Sequence, residues 1–363
     1  MFEIAFLVIL CGYFIQIVSV MLGARKRFPR LAESELPTAT VIVAARNEEQ
    51  NILRCLESLD KLEYPEGKLE IVIVDDKSTD RTGELVEQFI EGKPRFKKII
   101  SAEEFGSLKG KTNALANAIA ITKGEVILTT DADCAVPPSW VKAIASYYTK
   151  DVAIVNGFTH QQFSNAFSGM QNLDFIFLLS IGCGTMNLKR PLSCIGNNMS
   201  YLRKAYTEVG GYENIPFSVT EDFNLLSAIK KLGTYKIIFP LIKESLVESM
   251  PCTSVKTLTR QKKRWVVGGL KLPLYGYVIG INGWLASLAM VVTPFLFTPA
   301  AGWFLFTKVL LDMILLYTIT TELSIAESMK FFWAFELYYI FYVLTAPLLV
   351  VPNRRVVWKD RTY

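Results

Sequence analysis

Two carboxylates, Asp131 and Asp133, stand i, i+2 at the end of the run Glu125–Val126–Ile127–Leu128–Thr129–Thr130. Such a run reads as a buried strand. Where a strand ends the chain turns, so both carboxylates can converge on one hard cation and leave room for phosphate groups. An Asp-x-Asp is equally at home in a solvated turn, so its neighbours matter. Val74–Asp75–Asp76 ends an earlier apolar run, Glu221–Asp222 follows later, and Gln261–Lys262–Lys263–Arg264–Trp265 comes after that. Four polar signatures in this order, between hydrophobic segments, point to a membrane enzyme handling a sugar diphosphate.

The elements that must position these residues are legible from Thr40 onward. Val41–Ala44 and Ile71–Val74 are short β-branched runs with polar bounds, as buried parallel strands are. Between them, Ile52, Cys55, Leu56 and Leu59 recur at helical spacing within Glu48–Leu59. Further helices are predicted over Arg81–Ile90, with Asp80 as N-cap, and over Thr112–Ile121, before a strand at Val126–Leu128. Alternating strands and helices imply an α/β domain with a parallel-rich, doubly wound sheet and ligands at the carboxyl ends of its strands. Asp75, Asp76, Asp131 and Asp133 lie at such ends. Ala45–Arg46–Asn47–Glu48–Glu49 follows the first strand and offers hydrogen-bonding groups where a nucleotide base would lie. An ordinary helix start with acidic residues explains the same stretch locally.

The chain has 363 residues, a net charge of +5 and 51% hydrophobic residues. The apolar excess is concentrated at the two ends. The basic clusters, Arg25–Lys26–Arg27 with Arg30 and Lys262–Lys263–Arg264, adjoin hydrophobic segments and suit a membrane surface rather than nucleic acid. Six cysteines without a C-x-x-C pair fit reduced thiols better than a disulfide framework. His160, the single histidine, rules out a His-rich zinc site; its polar surroundings suit a surface or hydrogen-bonding role. Gly106–Ser107–Leu108–Lys109–Gly110–Lys111–Thr112 has three residues between its glycines where a P-loop needs four.

Phe2–Leu22 is long enough to span a bilayer, and Arg25, Lys26, Arg27 and Arg30 follow it. Residues 1–24 are therefore read as an uncleaved anchor with the following chain in the cytosol. Residues 271–352 hold three further apolar segments, Leu274–Phe297, Ala301–Thr320 and Phe331–Val351. Lys308 and Asp312 sit i, i+4 and can neutralise one another inside a bundle. One anchor plus three spans puts the carboxyl terminus outside, whereas the basic tail 353–363 argues for the inside. Leu274–Phe297, with its glycines and Asn282, is the segment expected to be interfacial or re-entrant.

Four stretches in this order and spacing, VIVAARNEEQNI, EIVIVDDKSTDRT, GKTNALA and TTDADC, resemble the family 2 glycosyltransferases, whose catalytic domain has the nucleotide-sugar-binding GT-A fold. CIGNNMSYLRKAYTEVGGY, TEDFNLL and QKKRW resemble the membrane-embedded branch, which includes cellulose, hyaluronan and poly-N-acetylglucosamine synthases and ceramide glucosyltransferase. The resemblance covers residues 38–270, the expected catalytic domain. It implies Ala45, Asn47, Glu48, Asp75 and Asp76 at the nucleoside, Lys111 near the nucleoside or diphosphate, and Asp131 and Asp133 at Mg²⁺ or Mn²⁺. It implies Asp222 as general base, with inversion at the anomeric carbon. Asn197, Asn198, Glu221, Gln261, Arg264 and Trp265 fall on the acceptor and diphosphate side. Read locally, Glu221–Asp222 is also an ordinary acidic helix start, and Trp265 an interface anchor.

The expected partners are a nucleotide-sugar donor, UDP-linked by preference, a lipid or saccharide acceptor, and membrane lipids, with no nucleic acid. TED and QxxRW lean toward a polymer-forming synthase, whereas few spans lean toward a lipid or lipid-linked acceptor. The expected location is a bacterial inner membrane with the catalytic domain in the cytosol. A nucleotidyltransferase would need a glycine- and basic-rich segment early in the chain, where residues 38–47 offer only Arg46. A non-catalytic nucleotide-sugar-binding scaffold would not need the full Asp131, Asp133 and Asp222 set.

Overall fold

The computed structural model describes residues 2–101, 104–216, 218, 220–270, 272–296, 298–349, 357–358 and 361–362. Phe297 and Val351, at the ends of two expected apolar segments, and most of the basic tail, including Arg354, Arg355 and Lys359, lie outside the described residues.

In chain order the elements are α1 (Phe2–Ala24), β1 (Ala39–Ala45), α2 (Ile52–Asp60), β2 (Leu69–Asp75), α3 (Thr82–Ile90), β3 (Phe96–Ile100), α4 (Gly110–Ile121) and β4 (Val126–Asp131). There follow β5 (Cys134–Ala135), α5 (Trp140–Ala145), β6 (Val152–Asn156), β7 (Thr159–Gln161), α6 (Ala166–Asn187), β8 (Met199–Leu202), α7 (Arg203–Glu208) and α8 (Glu221–Lys231). The chain continues through β9 (Lys236–Ile238), β10 (Val247–Ser249), α9 (Val255–Gly269), α10 (Leu274–Val292), α11 (Pro299–Glu322) and α12 (Phe332–Thr345), then the short pair β11 (Val357–Trp358) and β12 (Arg361–Thr362). Two compact units result: residues 27–160 with 193–250, and residues 1–26 with 161–192 and 251–363.

The first unit is built on a seven-stranded sheet of order β3-β2-β1-β4-β8-β6-β9. β3, β2, β1 and β4 run parallel, while β8 is antiparallel to both its neighbours. β-Branched runs suit these central strands because helices cover the sheet and both faces are buried; Val41, Val43, Ile71, Ile73, Val126 and Leu128 all lie in the core. α2 buries the expected face, Ile52, Cys55, Leu56 and Leu59. It begins at Ile52 rather than Glu48, because Asn47 takes a left-handed φ of 51° and the next four residues turn. α3 begins one residue later than expected, at Thr82, so the N-cap position falls on Arg81 rather than Asp80; the Asp80 carboxylate, one residue outside, still accepts from the Thr82 N–H at 3.0 Å. The chain winds from β1 outward to β3, then returns to place β4 on the other side of β1. Register sets Ala45 against Asp75, and Ala44 against Asp131. This reversal is the switch point at which open α/β sheets bind ligands.

The second unit is helical. Among the described residues five helical stretches are long and apolar enough to cross a membrane: Glu3–Ala24, Ala166–Asn187, Leu274–Phe295, Pro299–Glu322 and Ala326–Leu349. Ala166–Asn187, which is α6, is not among the four segments that stand out in the sequence, and it is the most buried of the five. α1 and α6 pack at glycines: a Cβ on Gly184 would come within 2.5 Å of Val20 Cα, so only a hydrogen there permits the approach. Lys308 and Asp312 do pair, at 2.8 Å and fully buried. Glu336 of α12 joins them at 2.5 Å from Lys308, and Tyr13 of α1 donates to Asp312 at 2.5 Å. Three helices are thus tied by one polar cluster in which the Lys308 ammonium is shared by two carboxylates, a pairing that lowers the cost of burying them.

Candidate active site

β4 runs on through Thr129 and Thr130 and ends at Asp131 itself, half-exposed at the carboxyl end of this central strand. Lys111, in the first turn of α4, reaches across to it: Nζ lies 2.5 Å from Asp131 Oδ1 and 3.3 Å from Glu221 Oε1. Glu221 and Asp222 form the first turn of α8, where two acidic side chains also complement the helix dipole. The loop Gly196–Asn198 brings these groups to one point. A Cβ on Gly196 would sit 3.3 Å from Lys111 Nζ and 3.4 Å from both Asp222 Oδ2 and Glu221 Oε1. The Thr129 hydroxyl fixes that loop on β4 by donating to Gly196 O at 2.8 Å. Burial opposes the Lys111 charge, but Asp131, Glu221 and Asp222 outweigh it and hold its pKa above the ordinary lysine value.

The nucleoside-side candidates assemble at the ends of β1 and β2. Asp75 and Asp76 are buried. The Asp75 carboxylate accepts from the Ser78 N–H at 2.8 Å, and the Asp76 N–H donates to Ala45 O at 2.8 Å. Asn47 Oδ1 accepts from the Thr79 N–H at 2.9 Å, while the Glu48 N–H donates to the Thr82 hydroxyl at 2.8 Å. The loop after β1 is therefore stitched to the loop after β2.

Asn197 and Asn198 lie in the Gly196 loop, and both are buried. Asn198 Oδ1 accepts from Trp140 Nε1 at 2.9 Å, and its Nδ2 donates to Phe158 O and Ser245 O at 2.6 and 2.8 Å. Asn197 Oδ1 accepts from the Thr159 hydroxyl at 2.9 Å. These bonds from the two amides anchor the loop. Gln261, Arg264 and Trp265 belong to the helical unit, on α9. His160 is partly buried, with Nε2 3.6 Å from Glu248 Oε2.

Arg54 gave no signal in the sequence. From α2 its guanidinium donates to Asp133 O at 3.0 Å and to Glu248 Oε1 at 2.5 Å, pinning the backbone of the Asp-x-Asp to β10. Its partners lie 79 and 194 residues away, so only the fold reveals the role. Cys134 follows Asp133 directly; burial, then Asp133 and Asp131, push its thiol well above the ordinary range, which keeps it neutral.

The donor set fits a hard divalent cation. Among the described residues no cluster of three or more His, Cys, Asp or Glu side chains could hold a metal alone. Asp131 and Asp133 would supply carboxylate oxygens and leave most of a coordination shell to phosphate and water, as suits Mg²⁺ or Mn²⁺ at a nucleotide site.

A parallel-rich sheet with an acidic strand end at its switch point, faced by a lysine and a second acidic pair, defines a nucleotide-sugar-binding domain of the GT-A class. The solved mannosyltransferase PcManGT from Pyrobaculum calidifontis, in complex with GDP-Man and Mn²⁺, has the same fold: TM-score 0.61, 19% identity, covering 94% of this chain and 99% of that one. The glycosyl transferase family group 2 profile matches residues 126–350, and that of glycosyl transferase family 2 matches residues 40–210. The chain belongs to the family 2 glycosyltransferases. Similar relatives include a β-monoglucosyldiacylglycerol synthase of Nostoc sp., 25% identical over 70% of this chain and 54% of its own length. Another is the probable glycosyltransferase YdaM of Bacillus subtilis, 28% identical over 67% of this chain and 58% of its own length. The chain spans about half the length of the curated relatives it matches.

Proposed function

We propose that this protein is an inverting membrane glycosyltransferase that moves a sugar from a nucleotide-sugar donor, preferentially a UDP-sugar, to a lipid or lipid-linked saccharide. The observation that carries this reading is the convergence of Lys111, Asp131, Glu221 and Asp222 around Gly196 at the ends of the central strands. The loops after β1 and β2 hold the nucleoside. Asp131 and Asp133 hold a divalent cation, which when bound neutralises charge on the leaving diphosphate. Lys111 offsets the negative charge that the acidic groups concentrate there. Asp222 takes the proton of the acceptor hydroxyl as it attacks the anomeric carbon from the face opposite the diphosphate, which gives inversion.

A lipid acceptor is supported by the apolar helices of the second unit and by relatives named for making monoglucosyldiacylglycerol. The basic residues after α1 support a cytosolic catalytic unit. Full-length protein in lipid nanodiscs is to be incubated with a panel of UDP- and GDP-sugars and Mn²⁺, and the extracted lipids analysed by mass. One glycosylated lipid, with release of nucleoside diphosphate, is the expected result. Chain-extended polysaccharide would favour a polymer synthase, and tight donor binding without any product would leave a non-catalytic scaffold.

A further inference from the structure

Between Gln261 and Arg264 lies a lysine that the catalytic reading does not use. Lys262 is 3% exposed, on a helix otherwise buried only at Leu258. A lysine is that deeply buried only when its charge is met, and here Asp174 of α6, also 3% exposed, forms an ion pair with it. The same ammonium stands 4.1 Å from the ring centroid of Trp265 and 4.8 Å from that of Tyr342 on α12. Trp265 in turn stacks on Phe175, with centroids 5.5 Å apart and planes 16° off parallel.

Asp174 and Phe175 share a face of α6 with Gln171, since i, i+3 and i+4 are neighbours on a helix surface. Gln171 grips both backbone groups of Cys252, donating to its carbonyl at 3.1 Å and accepting from its N–H at 2.9 Å. One stripe of α6 therefore receives the chain just before α9, the charge at its middle and the ring of its last motif residue. With about 100° per residue, a rotation that turns Lys262 inward sends Arg264 to roughly the opposite side of α9 and leaves Gln261 beside Trp265.

We propose that Lys262 is a positioning residue: its ion pair with Asp174 sets the rotation of α9 and clamps the Trp265 ring, and so fixes the surface that Gln261, Arg264 and Trp265 present to the acceptor. The inference rests on the acceptor-side reading of those three residues, and its test separates the two.

Full-length wild type, Lys262→Arg, Lys262→Met and the double variant Lys262→Met/Asp174→Leu are compared, with Trp265→Phe as optical reference. Three readouts are taken: KM for UDP-glucose and for diacylglycerol in mixed micelles, the emission contributed by Trp265, and the unfolding temperature. Lys262→Met is expected to raise the acceptor KM about tenfold or more at an unchanged donor KM, and to shift the Trp265 emission. The double variant, an apolar pair in place of a buried ion pair, is expected to recover the unfolding temperature but not the acceptor KM. Lys262→Arg keeps charge and reach, and is expected to hold the acceptor KM within about threefold. A wild-type acceptor KM in either Met variant overturns the proposal, as does an equal rise in both KM values. If wild type transfers no sugar to diacylglycerol, that acceptor is ruled out independently of the clamp. Emission then decides the clamp: a Trp265 spectrum unchanged by Lys262→Met overturns it, and a shifted one supports it.

Discussion

Lys111 bears directly on the charge balance of the candidate site, because its ammonium faces Asp131, Glu221 and Asp222. Lys111→Met keeps the length of the side chain and leaves three carboxylates to repel a diphosphate. Donor affinity is expected to fall about tenfold or more, roughly 1.4 kcal/mol, measured by calorimetry with UDP-glucose and Mn²⁺. Asp222→Asn should behave the other way round. The amide keeps size and polarity but loses the basic lone pair, so donor affinity should hold while transfer falls about a hundredfold, roughly 3 kcal/mol of barrier. Transfer within a few-fold of wild type would make Asp222 a helix-start carboxylate and nothing more. Asp131 was legible because a strand-end carboxylate shows in local pattern. Arg54 was not, because its worth lies in contacts with Asp133 and Glu248, far off in the chain. Asn198 shows the same limit: its amide bonds to Trp140, Phe158 and Ser245, contacts that no local pattern reveals.

The elements that hold the site were read from period alone wherever one face, or both, is buried: β1, β2, α2 and β4 fall within a few residues of expectation. α6 escaped notice because Gln171, Asn172, Asp174, Ser180 and Thr185 break its apolar run; all five are buried, and several are spent on internal hydrogen bonds or the pair with Lys262. Length and composition would let α6 span a bilayer, but sheet topology forbids a single crossing. β6 precedes it and β8 follows it, and these two strands are hydrogen-bonded neighbours, with Asn156 opposite Met199. One crossing would put them on opposite sides. Cysteines introduced at Ser164 and Lys189, in a cysteine-free background, should therefore react with an impermeant maleimide from the same side of sealed vesicles. Labelling from opposite sides would show that the sheet does not form as described.

At the scale of the whole molecule, the two units are interleaved: the sheet unit takes residues 27–160 and 193–250, and the helical unit takes the rest. Contiguous boundaries such as 38–270 are natural to read from a sequence, where apolar runs cluster at the ends, but they include α6 and α9. A fragment cut there would carry α6 without α1, α11 and α12, the helices it packs against. Its apolar side chains would then meet water, at a cost of about 25 cal/mol per Å² exposed, and aggregation should follow. The interleaving suggests a better cut. The sheet is complete without α6, since β6 and β8 already lie side by side. Replacing residues 164–191 by a Gly/Ser linker of about thirty residues, with a root-mean-square reach of roughly 30 Å to match the roughly 33 Å length of the excised 22-residue α6, should let residues 27–250 close on themselves. Loop closure of that length is entropically mild. This fragment keeps Asn47, Asp76, Lys111, Asp131, Asp133 and Asp222, so it is expected to unfold cooperatively and to bind UDP with Mn²⁺ in calorimetry. It lacks Gln261, Arg264 and Trp265, so no transfer to lipid is expected. A soluble, folded fragment that fails to bind any nucleoside diphosphate would move the donor site away from the ends of β1, β2 and β4. Transfer to lipid by the fragment would remove α9 from the acceptor side.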